Sequence, residues 1–153
     1  MSDWRSVLAE HAPAFLAHEG VWRGVYQHID VRTGEITAHD AQVVCEFPGG
    51  GPHAYIQHNT FTWADGRVEI ADLPGVWRHG RIWWDLPTFS GSAWDAGDGV
   101  VLLNLVRKDE PGVVFFEMIV PPTQTGARAR TWHWLKDGEL VRRTLCNERR
   151  TAP

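Results

Sequence analysis

Four side chains in this sequence carry groups suited to moving a proton: Tyr26 and His28, two positions apart, then Tyr55 and Glu117. Imidazole titrates near neutrality, and a phenol donates a hydrogen bond to an oxygen that gains charge. Glu117 stands out because the segment around it, 113–120, is otherwise apolar. A carboxylate there either carries a raised pKa or pairs with an arginine, and a pair with Arg130 or Arg107 is the favoured reading. A second set suits binding: Gln57, Asn59, Trp83, Asp85, Arg130, Trp132 and Arg143 combine flat apolar faces with hydrogen-bonding groups. Asp85, after Trp83 and Trp84, is the second carboxylate candidate, with a structural reading as a strand end that bonds loop N–H groups.

Other chemistries lack their signatures. The eight histidines include no His-x-His pair and no glutamate set among spaced histidines, so no metal site is expected from spacing. His28 and His39 fall on neighbouring strands and can meet, but no third ligand is dictated. There is no Gly-x-Ser-x-Gly, no phosphate loop and no dinucleotide fingerprint, since Gly49-Gly50-Gly51 is followed by neither Lys nor a helix. No cofactor is expected, and any catalysis would be proton transfer with Arg, Gln or Asn polarising the substrate.

The balance of 15 basic against 19 acidic residues leaves a net charge of −4, with no basic excess for phosphates, so nucleic acid is not an expected partner. The first residues show no signal-peptide pattern and no apolar run is long enough to span a bilayer, so no membrane insertion and a cytoplasmic location are expected. In that setting Cys45 and Cys146 read as reduced thiols. Assembly as a homodimer is left open.

These candidates need elements to position them. Residues 3–17 carry apolar residues at helical spacing, with Ser2 or Asp3 as cap and Pro13 as a kink or break, and the helix stops by Gly20. Beyond Gly20 the period becomes that of strands, over 21–30, 36–47, 53–63, 67–72, 81–86, 91–95, 100–106, 113–120, 127–135 and 139–149. The separators include Asp65-Gly66, Pro74-Gly75, Asp98-Gly99, Pro111-Gly112 and Asp137-Gly138. Eight to ten strands with tight turns and no crossover helices predict an all-β fold: a closed up-and-down antiparallel β-barrel with a short N-terminal helix. The chain reads as one domain over 1–153, with the helix in 1–19, the barrel in 20–149 and a loose tail in 150–153.

Alternation assigns the faces. With Trp22 inward, Tyr26, His28 and Asp30 are inward too. Tyr55, Gln57, Asn59, Phe61 and Trp63 share one face of the third strand, and Arg128, Arg130, Trp132 and Trp134 share one face of the ninth. In a closed meander the first strand lies between the second and the last. Cys45 and Cys146 are then about 9.5 Å apart, two inter-strand spacings, beyond disulfide reach.

The Gly20-Val21-Trp22 opening of strand one, just after a short helix, resembles the calycin superfamily of lipocalins, fatty-acid-binding proteins and phycobilin-lyase-like barrels. The Gly-Val-Trp-x-Gly opening and the Arg-x-Arg-Thr-Trp-His-Trp segment more narrowly resemble an uncharacterised bacterial lipocalin-like family. The resemblance implies a barrel with a cavity, in which Trp22 closes the base and packs against a final-strand arginine, Arg142 or Arg143. It transfers no catalytic residue. The expected partner is a small hydrophobic molecule. The reading leans to a cofactor-independent isomerase, cyclase, hydratase or lyase acting on an aromatic or polyene-like substrate; the alternative is a non-catalytic carrier or a chromophore- or haem-binding protein.

Overall fold

The computed structural model describes residues 3–152. A helix α1 (Trp4–His11) and a 3-10 turn (Leu16–His18) precede ten strands: β1 (Gly20–Asp30), β2 (Ile36–Glu46), β3 (Tyr55–Thr62), β4 (Val68–Arg78), β5 (Arg81–Asp85), β6 (Phe89–Asp95), β7 (Val101–Arg107), β8 (Val113–Ile119), β9 (Ala127–Lys136) and β10 (Glu139–Thr151). Every strand pairs antiparallel with its sequence neighbour, and β1 closes the barrel by pairing with β10. Asp3 caps α1, its carboxylate accepting from the backbone N–H groups of Arg5 and Ser6. Pro13 lies between the two helical pieces, where it cannot supply the N–H that a continuous helix needs.

The helical segment is a plug. Leu8, Ala12, Ala14 and Phe15 are buried, and they join the barrel core through Trp22 and Phe47. Trp22 is fully buried and its indole N–H donates to the carbonyl of His18 at 2.8 Å. Burial of its large flat face ties the first turn of β1 to the plug.

Two boundaries differ from the sequence reading. Pro74-Gly75 does not end a strand: β4 continues through it, Gly75 standing opposite Tyr55. The reversal is at His79-Gly80, with φ of 51° and 73°, which gives the two-residue turn that matches strand twist. Gly75 is needed inside the strand because the β5 side chains cross it. A Cβ there would stand 2.5 Å from Ile82 Cγ2 and 3.2 Å from the Trp84 indole. Pro74 is tolerated because β5 pairs with β4 only from Val76 onward. At the other terminus, Arg150 and Thr151 are strand residues, opposite Trp22 and Val21, not a tail.

The cysteines lie farther apart than the two-spacing estimate. Cys45 stands opposite Gly20 and Cys146 opposite Tyr26, which displaces them by about 20 Å along β1 as well. Both are free, buried thiols. Among the described residues no helix is long and apolar enough to cross a membrane.

Candidate ligand-binding site

The interior face carries an unusual density of charge. Arg128 on β9 donates from Nε to Glu148 Oε1 at 2.7 Å and from Nη2 to Glu148 Oε2 at 3.3 Å. Arg130, two positions on and so on the same face, donates from Nε to Glu117 at 2.8 Å and from Nη1 to the Tyr26 hydroxyl at 2.9 Å. Two guanidinium groups and two carboxylates thus neutralise one another in a space almost without solvent. Burial works against ionised Glu148, but Arg130 and Arg128 together hold its carboxyl below the usual range. Tyr26 is pushed well up by burial and keeps its proton.

Beside this cluster, towards the helical plug, lies a small cavity of about 30 Å³, bordered by Phe15, His18, Phe47, Tyr55, Trp84 and both buried arginines. That is room for about one water molecule. His18 is the distinctive polar group in its wall. Its Nδ1 lies 3.3 Å from Arg128 Nη1, which can only donate, so the ring proton sits on Nε2. Burial, reinforced by Arg128, Arg130 and Arg150, lowers the His18 pKa to about 3, so the ring is neutral at physiological pH. Nε2–H is buried and has no partner among the described residues. An orphan donor of this kind costs about 1–3 kcal/mol until something accepts from it. Nη2 of Arg130 likewise donates to no described residue.

The expected binding residues of β3 form a ladder. The Tyr55 hydroxyl lies 2.8 Å from Gln57 Oε1 and 3.2 Å from Cys45 Sγ, and Gln57 Nε2 donates to Asn59 Oδ1 at 2.8 Å. Burial, then the neighbouring Cys45, raises the Tyr55 pKa well above its ordinary value. Trp132 faces inward beneath Arg130, whose guanidinium lies 4.7 Å from its ring. His28 and His39 do meet, Nε2 to Nε2 at 3.0 Å, above Tyr26 and away from the cavity.

That histidine pair belongs to a directed chain. The Asp40 carbonyl can only accept, which puts the His39 proton on Nδ1 and leaves its Nε2 bare. His28 Nε2–H then donates to it, so His28 Nδ1 accepts from the Thr144 hydroxyl at 2.7 Å. Thr144 Oγ1 in turn accepts from the Trp134 indole N–H at 2.9 Å. Every group is satisfied with both rings neutral. Burial, with His39 and Arg142 nearby, pushes the His28 pKa down to about 4.

Three expected binding residues lie elsewhere. Trp83 is on the outer face of β5, its N–H donating to the Arg78 carbonyl, while Ile82 and Trp84 point inward. Asp85 is exposed at the end of β5 and pairs with Lys108, not with loop N–H groups. Arg143 is exposed on the outside of β10, because its inward neighbours are Arg142 and Thr144. The arginine expected to pack on Trp22 is neither Arg142 nor Arg143. Arg128 and Arg150 lie 4.4 and 4.6 Å from that ring, and Arg142 stacks on Trp134 instead. His18, Glu148 and Trp84 are the residues that sequence reasoning did not single out. Their signals were the position of His18 one short turn before Trp22, and the opposition of Glu148 to Arg128 once β9 and β10 are in register.

The fold has relatives among solved structures. A protein of unknown function from the DUF3598 family of Nostoc punctiforme superposes with a TM-score of 0.70 at 19% identity, over 90% of this chain and 49% of that one. This chain therefore spans about half of its length. An S-type phycobiliprotein lyase, CPES from Guillardia theta, matches with a TM-score of 0.68 at 14% identity, over 91% of each chain. Rv2717c from M. tuberculosis matches with a TM-score of 0.59 at 18% identity, over 94% of this chain and all of that one. At these identities the likeness is one of fold: a closed, lipocalin-like antiparallel barrel. No family model matches the sequence, and no curated protein matches it.

Proposed function

We propose that this barrel binds a small, mostly apolar molecule that ends in an uncharged oxygen acceptor, seated between the helical plug and the buried arginines. The observation that carries this reading is the buried Nε2–H of His18, which has no partner among the described residues, in a wall whose charged groups, Arg128 and Arg130, are already paired with carboxylates. A carbonyl or ether oxygen satisfies that donor. A carboxylate adds a third negative charge to a cluster whose two arginines are already neutralised by Glu117 and Glu148, and its desolvation is not repaid. The narrow space means that Phe15 and the 3-10 turn must shift to admit anything larger than water.

Tryptophan fluorescence tests this, since Trp84 lines the cavity. Methyl hexyl ketone is expected to bind, and octanoate to bind at least about tenfold more weakly. His18→Leu is expected to weaken ketone binding about tenfold, with partial recovery in His18→Gln, which keeps a donor. Preference for octanoate, or no effect at His18, would overturn the reading.

A catalytic role as an isomerase or lyase draws support from the barrel shared with a phycobiliprotein lyase. A bilin is much larger than the open space, and acceptance of one requires the plug to leave. The proton-transfer candidates are also engaged: Glu117 is paired with Arg130, and Tyr26 and Tyr55 are held protonated. His18 acts in either case as a neutral donor that polarises a carbonyl, so binding is the reading that the geometry favours.

A further inference from the structure

The far end of the barrel, remote from the plug, has a mouth framed by the β1–β2, β7–β8 and β9–β10 turns. It opens as a cleft of about 420 Å³ walled by Val113, Trp134 and Val141 and lined also by Arg32 and Lys136 and by the acids Asp30 and Glu110. Arg142 projects into it from β10 because it shares the inward parity of Thr144, and its guanidinium stacks on Trp134 at 4.0 Å. Among the described residues no carboxylate lies within 4 Å of Arg142 and no acceptor takes its hydrogen bonds, and its Nε is buried without a partner.

Asp30 and Glu110 line the cleft, but neither makes an ion pair with Arg142. Asp30, opposite Arg142 on β1, has Oδ1 occupied by the backbone N–H groups of Arg32 and Thr33. Glu110 sits 3.9 Å from Arg107, whose other partner is Asp109. Burial lowers the Arg142 pKa; Glu110 partly offsets this and Arg107 adds to it. A partly buried cation on an aromatic platform, with Glu110 acting on it only from beyond contact distance, is a site whose complement is a planar or tetrahedral oxyanion held by two parallel N–H donors.

We propose that the mouth is a second binding site, independent of the cavity, for a small organic oxyanion (a carboxylate or phosphate monoester) that pairs with Arg142 and lays its apolar part against Val113 and Val141.

The local readout is the indole N–H resonance of Trp134, assigned by its loss in Trp134→Phe. At constant ionic strength, benzoate, phenyl phosphate, inorganic phosphate and the neutral analogue benzamide are titrated into wild type, Arg142→Gln, Arg142→Lys and His18→Leu. Saturable shifts with benzoate or phenyl phosphate, absent with benzamide, are expected. Arg142→Gln should weaken them about tenfold or more, Arg142→Lys should restore only part, and His18→Leu should leave them unchanged. Response to inorganic phosphate alone marks a simple anion site and overturns the organic ligand. Equal response to benzamide, no saturable response to any probe, or undiminished binding in Arg142→Gln overturns the site. Because Arg142→Gln removes no ion pair or hydrogen bond, only the stack on Trp134, its unfolding midpoint should fall little from that of wild type; a large fall in stability would show a structural ion pair and also count against the site.

Discussion

Buried histidines make the acid response of this protein predictable residue by residue. His18 and His28 are held near pKa 3 and 4, whereas an unfolded chain titrates histidine near 6.5. Between those limits the unfolded state binds more protons, so stability rises with pH across the window. The contribution is complete above about pH 6.5 and is lost as the pH falls towards 4 and then 3. Urea midpoints should therefore decline steadily on acidification from neutrality, and His18→Leu should flatten part of that slope. Glu148, whose folded pKa is lowered, adds a loss of the same sign below about pH 4.5. The Trp134–Thr144–His28–His39 chain yields a spectroscopic test. Nitrogen-15 spectra should show His39 protonated at Nδ1 and His28 at Nε2, and Thr144→Val should leave that preference at His28 in place, because the bare Nε2 of His39 still accepts from it.

At the scale of strands, β1 and β10 work as a unit because Gly24 lets Glu148 reach the arginines. A Cβ at position 24 would lie 2.3 Å from the Asn147 carbonyl oxygen and 2.9 Å from Glu148 Cγ. Gly24→Ala should cost about 1–3 kcal/mol in chemical denaturation. Glu148→Gln should cost more, about 3–5 kcal/mol, because two arginines then remain buried with one carboxylate between them. Pairing it with Arg128→Met should recover part of the loss, and the double-mutant cycle measures the coupling. Strand existence was legible wherever a short apolar or alternating run lay between Gly- or Pro-containing turns, as for β7 to β10. It failed at β4, where Pro74-Gly75 has the composition of a turn but serves the close approach of Trp84, and where the true turn places a histidine at positive φ with no compositional cue.

For the molecule as a whole, closure and the position of β1 between β2 and β10 followed from the meander and its turns. Alternation grouped the right residues, but which group is interior was left to register. Tyr26 and His28 followed only from placing Trp22 inward, because Val21, Val25 and Ile29 make the opposite face of β1 part apolar. The structure turns Tyr26 and His28 on β1, Tyr55, Gln57 and Asn59 on β3, and Arg130 and Trp132 on β9 inward. The interior face was not legible on β5 either, where Trp83 and Trp84 make both faces aromatic, nor on β10, where Arg142 and Arg143 differ only by a register that the bulge between Leu140 and Arg142 sets. The cavity itself could not be read from strands at all. Its defining donor comes from the 3-10 turn, and its polar lining depends on pairings between residues more than a hundred positions apart, as between His18 and Arg128.

The spread of the two cysteines along β1 makes the chain its own reporter of local opening. Cys45 is beside the plug end, within reach of Tyr55, while Cys146 is beside Tyr26 and its thiol is pushed up to about 12 by burial, then by Glu148. Alkylation of each thiol thus samples a different opening event. If the plug lifts as a unit while the barrel stays shut, Cys45 should be modified well before Cys146, and a bound ketone should slow the first without changing the second. Equal rates at both thiols would mean that the plug and barrel open only together, as one cooperative unit.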